Sequence, residues 1–328
     1  MIPEEKKAAV SRALQTAFGV PEYDDIRQLT AGLSTALIFR MVVLGKPYLL
    51  RIIMRTDAMG DPTHQFICMV PAAAAGLGPG ILYTNIEDRI SITDFIEAKP
   101  FPLDEARLKM PDLLKRLHAL PLFPRRLNYL ETMDGIVRKF QEAKILPKSM
   151  TREIFSQYRK ILDIYPNNPE NWVSCHNDCK PENILYDGNR PWLVDWEAAF
   201  PNDRYADLAV VGNFLVTNED EEKEYLRIYF GEQPGEYHHA RFFLMTQLMH
   251  VFYFIFFMKI VAATGKAIDP DSPKPEFREF HNDIWAGKIS LKEDDARLKY
   301  AWAHFQQLQY NLRLKRFDES LRVASYGH

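Results

Sequence analysis

His176, Asp178 and Asn183 fall within one short stretch, Cys175-His176-Asn177-Asp178-Cys179-Lys180-Pro181-Glu182-Asn183, and Asp195 follows twelve residues after Asn183 at the end of an apolar run. Phosphoryl transfer from Mg-ATP to a hydroxyl can be run with such a set. One carboxylate takes up the hydroxyl proton, while an amide and a second carboxylate hold magnesium against the phosphates. The His-x-Asp-x4-Asn spacing alone arises by chance in about one chain in a hundred of this length. A strand-terminal Asp close behind makes the coincidence much rarer.

Several elements must position these residues. A short strand over 172–175 feeds the loop. Strands over 184–186 and 192–194 flank Asp187-Gly188, a strong hairpin signal, and deliver Asp195. Upstream, helical spacing covers 103–120, 131–144 and 151–164, beyond a boundary marked by Pro100 and Pro102. The first helix runs over 4–18 with Val10, Leu14, Ala17 and Phe18 on one face, and Gly19 and Pro21 stop it. From Ile26 the pattern becomes strand-like. Runs at 37–44 and 48–54 form a hairpin turned by Gly45-Lys46-Pro47, and 81–83 and 90–96 continue the sheet. The segment 76–80 lacks the third glycine of a dinucleotide fingerprint. Asn218 caps a helix whose first turn, Glu219 to Glu222, suits the positive end of the helix dipole. The run 237–263 reads as a core helix.

The loop resembles that of the choline/ethanolamine kinase and aminoglycoside phosphotransferase superfamily, and Cys175-His176-Asn177-Asp178-Cys179 with Asn183-Ile184-Leu185 is especially similar to the choline kinase form. Leu193-Val194-Asp195-Trp196-Glu197-Ala198 resembles the metal-binding strand end of that family. Arg204-Tyr205-Ala206-Asp207-Leu208-Ala209 resembles its next block, Leu114 to Pro121 its Leu-His helix, and Thr93-Asp94-Phe95-Ile96-Glu97 its adenine hinge. The likeness extends over about residues 25–260. It implies an α+β, two-lobed protein-kinase-like fold. A small antiparallel-sheet N-terminal lobe, residues 1–97, would bind ATP. A larger, mainly helical C-terminal lobe, residues 98–328, would carry the catalytic loop, metal site and substrate pocket.

The resemblance also implies roles. Asp178 would be the base, with Lys180 on the transferring phosphate and His176 bracing the loop. Asn183 and Asp195 would hold Mg2+, and Asp207 would brace the loop from below. Arg51 stands where the small lobe ordinarily has a lysine and would grip phosphate oxygens. Gly32, Ser34 and Thr35 would cover the phosphates, and Asp94, Phe95 and Ile96 would meet adenine. Trp196, Glu197 and Trp302, with Asp178, would face the acceptor. A cation cage could draw on Trp196, Tyr253, Trp285, Tyr300, Trp302 and Tyr310, although buried aromatics are ordinarily core.

Two departures stand out. No acid lies between Asp61 and Glu87 to pair with Arg51, and Gln65 occupies the matching position. Pro71 suggests that the intervening helix starts near Pro71 rather than before it. In addition, Trp196-Glu197 is followed by alanine where choline kinases often have tyrosine.

The 328 residues suit a two-lobed enzyme, and 47% apolar with 26% charged residues is ordinary globular composition. A net charge of -3 leaves no nucleic-acid footprint. Three cysteines, Cys68, Cys175 and Cys179, fit reduced thiols rather than a disulfide framework or a zinc set. The N-terminal residues lack a signal-peptide core, and the apolar run 251–258 is shorter than the about 20 residues a span needs. A cytoplasmic protein without membrane partners is expected. The expected function is ATP-dependent phosphorylation of a small-molecule hydroxyl, an amino alcohol such as choline or ethanolamine foremost. Alternatives are an aminoglycoside or another small metabolite as acceptor. In a different class, the missing acid would suit a non-catalytic kinase-fold binding module. A protein kinase fits less well, because Trp-Glu follows Asp195 and no Ala-Pro-Glu segment is present.

Overall fold

The structure, a computed structural model, describes residues 1–29, 36–57 and 60–326. Gly32, Ser34 and Thr35 lie outside the described residues. The chain divides into two compact units: Met1–Phe101, Leu120–Pro124 and Glu182–Ala199 form the first, and Pro102–Ala119, Arg125–Pro181 and Phe200–His328 form the second. The segment carrying Asn183 and Asp195 belongs to the first unit.

In the first unit, α1 (Glu4–Phe18) precedes a five-stranded antiparallel sheet of β1 (Asp25–Leu29), β2 (Leu37–Val43), β3 (Lys46–Ile52), β4 (Ile81–Asn85) and β5 (Ile90–Asp94), ordered β1-β2-β3-β5-β4. Strand alternation puts Phe39, Met41 and Val43 of β2, Leu50 and Ile52 of β3, and Ile90 and Ile92 of β5 in one core cluster with Ala9, Val10, Ala13 and Leu14 of α1. The period-2 pattern sends Arg51 to the opposite face, between Ile38 and Ser91 on the neighbouring strands. The β2–β3 turn is shorter than expected. Leu44 and Gly45, both with positive φ, make it, and Pro47 already pairs with Val42 inside β3. The β5 pairing starts only at Tyr48, so the missing N–H of Pro47 leaves no gap in that ladder.

Helix α2 (Thr63–Ala74) corrects a second expectation: it begins eight residues before Pro71 and carries the proline inside. The proline forfeits one backbone bond, but burial of Phe66, Cys68, Met69 and Ala72 holds the helix. The hairpin β7 (Ile184–Tyr186) and β8 (Pro191–Leu193) also belongs to this unit. Asp187 Oδ1 accepts from the amides of Asn189 and Arg190 and fixes its turn.

The second unit holds α3 (Leu103–His118), α4 (Tyr129–Ala143), α5 (Lys148–Ile164), a two-stranded ladder of β6 (Val173–Cys175) and β9 (Phe200–Asn202), and helices α6 (Arg204–Leu215), α7 (Glu219–Phe230), α8 (Glu236–Ala263), α9 (Phe277–Trp285), α10 (Asp294–Asn311) and α11 (Lys315–Ser325). Asn218 caps α7 by accepting from Glu221 N, as expected. Helix α8 covers the run 237–263 read as a core helix. Among the described residues it alone is long and apolar enough to cross a membrane, but 72% of its most apolar window is buried inside the structure. It packs against α6, α10 and α11.

His250 of α8, His281 of α9 and His304 of α10 are buried among these helices. His250 Nδ1 and His304 Nδ1 lie 2.8 Å apart, so one donates and the other accepts. Burial, with nearby Arg278, pushes the imidazole of His250 down to about 3. Burial also drives His281 well below its usual range, against the raising effect of the Phe277 carbonyl. It does the same to His304, aided by the other two rings. All three stay neutral in the folded chain at neutral pH, whereas the unfolded chain protonates them near pH 6.5. Their folded pKa values are depressed, so the stability they contribute is complete above pH 6.5 and declines as pH falls below it. Three protons imply a loss of about 4 kcal/mol per pH unit once the unfolded histidines are charged. Urea unfolding at pH 7 and pH 5 should show this loss, and His304→Gln should remove about one proton from the slope. A flat profile over that interval would contradict the neutral cluster.

Candidate active site

β6 leads straight into His176-Asn177-Asp178, and β9 pairs with β6 through Cys175 and Phe200. The loop is held from inside the second unit. Asp207, on the first turns of α6 and fully buried, accepts from the His176 amide at 2.8 Å and the Asn177 amide at 2.7 Å. His118, at the end of α3, adds its Nε2 to the same carboxylate at 3.1 Å. A carboxylate only accepts, so Nε2 carries the proton, and Nδ1 takes the Tyr229 hydroxyl at 2.7 Å. Burial pushes the Asp207 carboxyl up, but the hydrogen bond from His118, with the His176 amide, outweighs it and holds it below the usual carboxylate range. His176 is fully buried, which fits a brace.

Asn177 adopts a left-handed conformation, φ 61°, which Asn tolerates better than most residues. Its Nδ2 donates to Phe200 O at 3.1 Å, and its Oδ1 accepts from Asn202 Nδ2 at 2.8 Å. The turn thus presents Asp178 next. Asp178 is partly exposed, and its Oδ2 accepts from Lys180 Nζ at 2.8 Å. Cys175 and Cys179 are buried and free; burial, then Asp207, pushes both thiols far up, so neither is a reactive thiolate. His118, Cys175 and Asp207 offer potential ligand atoms within 4.8 Å of one another, yet each already serves this hydrogen-bonded brace.

The first unit brings Asn183, Asp195, Arg51 and Glu197 into one neighbourhood. Val194 N donates to Asn183 O at 3.0 Å, which ties the residue before Asp195 to Asn183. Asp195 also has positive φ, 66°. Its Oδ1 accepts from Arg51 Nη1 at 3.2 Å, and Glu197 accepts from Arg51 Nη2. The missing acid of α2 is therefore replaced by two carboxylates that follow the β7–β8 hairpin. The guanidinium is almost wholly buried, with 9% of its side chain exposed, while Glu197 is 55% exposed. α2 contributes differently: His64 Nε2 donates to Ala199 O at 2.5 Å, and Gln65 is buried. Trp196 is buried against Phe123, and Gly78 lies so close that a Cβ there would meet Leu193 O at 3.1 Å and Trp196 Nε1 at 3.5 Å.

At the expected hinge, Asp94 ends β5 and its amide donates to Gly80 O at 2.8 Å. Phe95 lies under Arg40, and Ile96 is half-buried. The late aromatics are mostly packing. Trp302 is buried beside Phe254 and Phe305, and the cation over its ring, at 4.8 Å, is the chain's own Lys274. Tyr253 and Tyr300 pack on each other and on His304, Trp285 on Phe214, and Tyr310 is exposed. Sequence reasoning did not assign His118, Asn202 or the Arg51–Glu197 pair. The Leu117-His118 motif was the one available signal among these.

The donor set suits magnesium: Asn183 and Asp195 offer an amide and a carboxylate oxygen, the hard ligands this ion prefers. The profile of the phosphotransferase enzyme family matches residues 64–243. The chain is 26% identical over 150 residues to the Protein LicA homolog of Mycoplasma capricolum subsp. capricolum, a match covering 45% of this chain and 60% of that protein, less than two thirds of its length. A choline/ethanolamine kinase family protein from Mesorhizobium loti has a similar structure, with TM-score 0.68 and 19% identity over 98% of this chain and all of that one. The ternary complex of streptomycin, ATP and APH(2")-IIa gives TM-score 0.55 and 15% identity over 81% and 96% of the two chains. These likenesses establish the protein-kinase-like α+β fold expected from the motifs.

Proposed function

Because the chain belongs to the phosphotransferase enzyme family, we propose that it moves the γ-phosphate of Mg-ATP to a hydroxyl of a small molecule, with an amino alcohol such as choline or ethanolamine as the first candidate. The observation that carries this reading is the anchoring of the 178–183 loop. Asp207 holds the two amides just before Asp178, and the β7–β8 hairpin ties down Asn183 at the other end.

In this reading Asp178 accepts the proton of the attacking hydroxyl. Lys180, on the same turn, offers a point cation to the phosphoryl oxygens. Asn183 and Asp195 would hold magnesium, which would supply positive charge against the phosphates. Arg51, kept in place by Asp195 and Glu197, donates to phosphate oxygens, so Glu197 does the orienting that an α2 acid would otherwise do. His176 and Asp207 brace the loop without touching the acceptor. Asp94, Phe95 and Ile96 line the adenine side.

A second acceptor class, the aminoglycosides, is favoured by the likeness to a phosphotransferase seen with streptomycin and ATP. Calorimetry with ATP, with and without magnesium, tests the nucleotide half. Magnesium-dependent binding is expected, and Arg51→Met should weaken it about 10- to 100-fold, the value of a charge-assisted contact. Absence of nucleotide binding in the unaltered protein would leave the non-catalytic binding module as the better reading.

A further inference from the structure

A cavity of about 310 Å³ opens in the second unit where the start of β6, the start of α6, the end of α7 and the start of α8 meet. Its size lies at the lower end of ligand pockets and suits a single-ring molecule. Its walls are aromatic, from Trp172, Tyr205, Phe230 and Tyr237. Its charged lining is mostly cationic, from Arg204 and Arg241, and the one lining acid, Asp203, is already paired with Arg241 and caps α6 through Tyr205 N. Arg241 is fixed further by the rings of Tyr165 and Tyr205, 4.5 and 4.9 Å from its guanidinium carbon. Arg204 has no hydrogen bond or ion pair among the described residues, although it lines the same cavity. His238 accepts from the Tyr205 hydroxyl at 2.6 Å, and burial with the positive charges around it keeps its imidazole low and neutral.

We infer that this cavity binds a small planar carboxylate, its ring between the aromatic walls and its anionic group on the fork of Arg204. A carboxylate matches a planar guanidinium in two parallel hydrogen bonds, and a flat ring stacks on the walls. The site has a route to the catalytic loop within its own unit. The Asp203 amide donates to Asn202 Oδ1 at 2.8 Å, and Asn202 Nδ2 donates to Asn177 Oδ1 at 2.8 Å, one residue from Asp178. An occupant that repositions Arg204 and Arg241 therefore bears on Asp203 and, through Asn202, on the turn that presents Asp178.

Benzoate, benzamide and benzylamine, titrated by calorimetry and by ligand-observed NMR, test the inference. Benzoate should bind saturably below about 10 mM and the two analogues at least tenfold more weakly, the discrimination one charge-assisted pair supplies. Arg204→Ala should lose most of the benzoate affinity and Arg204→Lys should keep part of it, with circular dichroism confirming that both fold. Asp178→Asn should bind benzoate unchanged, which separates this site from the proposed chemistry. Equal binding of benzamide, an Arg204→Ala variant that binds normally, or loss of binding in Asp178→Asn would overturn it.

Discussion

Asp178→Asn should lower the rate of phosphoryl transfer by about 10²- to 10⁴-fold, the usual contribution of a positioned general base, while changing ATP affinity by less than a factor of about 3. The split follows from the position of the residue. Asp178 is partly exposed and pairs with Lys180, 2.8 Å away. The loop hangs on Asp207, through the amides of His176 and Asn177. An amide of the same shape therefore leaves the turn in place and removes only the proposed acceptor of the hydroxyl proton. Steady-state kinetics with calorimetry of Mg-ATP reads both quantities. Parallel loss of rate and nucleotide affinity would make Asp178 a structural residue.

The opposite pattern is expected at Asp207. Replacing it by alanine leaves two buried backbone N–H groups and the His118 Nε2–H without their common acceptor. Each unsatisfied buried donor costs about 1–3 kcal/mol, so with three of them stranded stability should fall by about 3 kcal/mol or more. Transfer should fall too, because the turn before Asp178 loses its anchor. Urea unfolding checks the first part; a change below about 1 kcal/mol would mean that the loop is held by other contacts.

These two residues also mark what the sequence discloses. The 176–183 motif and the β7–β8 hairpin are legible because their signals are local: fixed spacing over eight residues, and an Asp-Gly turn between two apolar runs. The amphipathic α1 follows from hydrophobic period, and the fold class from the resemblance those local motifs carry. Partners distant in sequence were not legible. The acids that hold Arg51 lie 144 and 146 positions beyond it, outside the reach of any local spacing. Pro71 misled for a related reason. Its local preference argues for a helix start, but burial of Phe66, Cys68 and Met69 outweighs one forfeited hydrogen bond. Pro47 inside β3 follows the same logic, because its missing N–H faces no paired strand. The aromatic count could not separate packing from binding either: Trp302 and Trp196 are both buried, and a lysine of the chain itself already sits over the Trp302 ring.

The central claim is transfer of phosphate to a small hydroxyl. Phosphorus NMR of the protein with Mg-ATP and single acceptors measures it directly. The acceptors are choline, ethanolamine, other amino alcohols, aminoglycosides and simple sugars, with Asp178→Asn as the control. The account predicts a new phosphomonoester resonance with one acceptor class, growing as the γ-phosphate signal of ATP declines and absent in the control. A phosphomonoester formed equally by Asp178→Asn, or none from any acceptor, would contradict it.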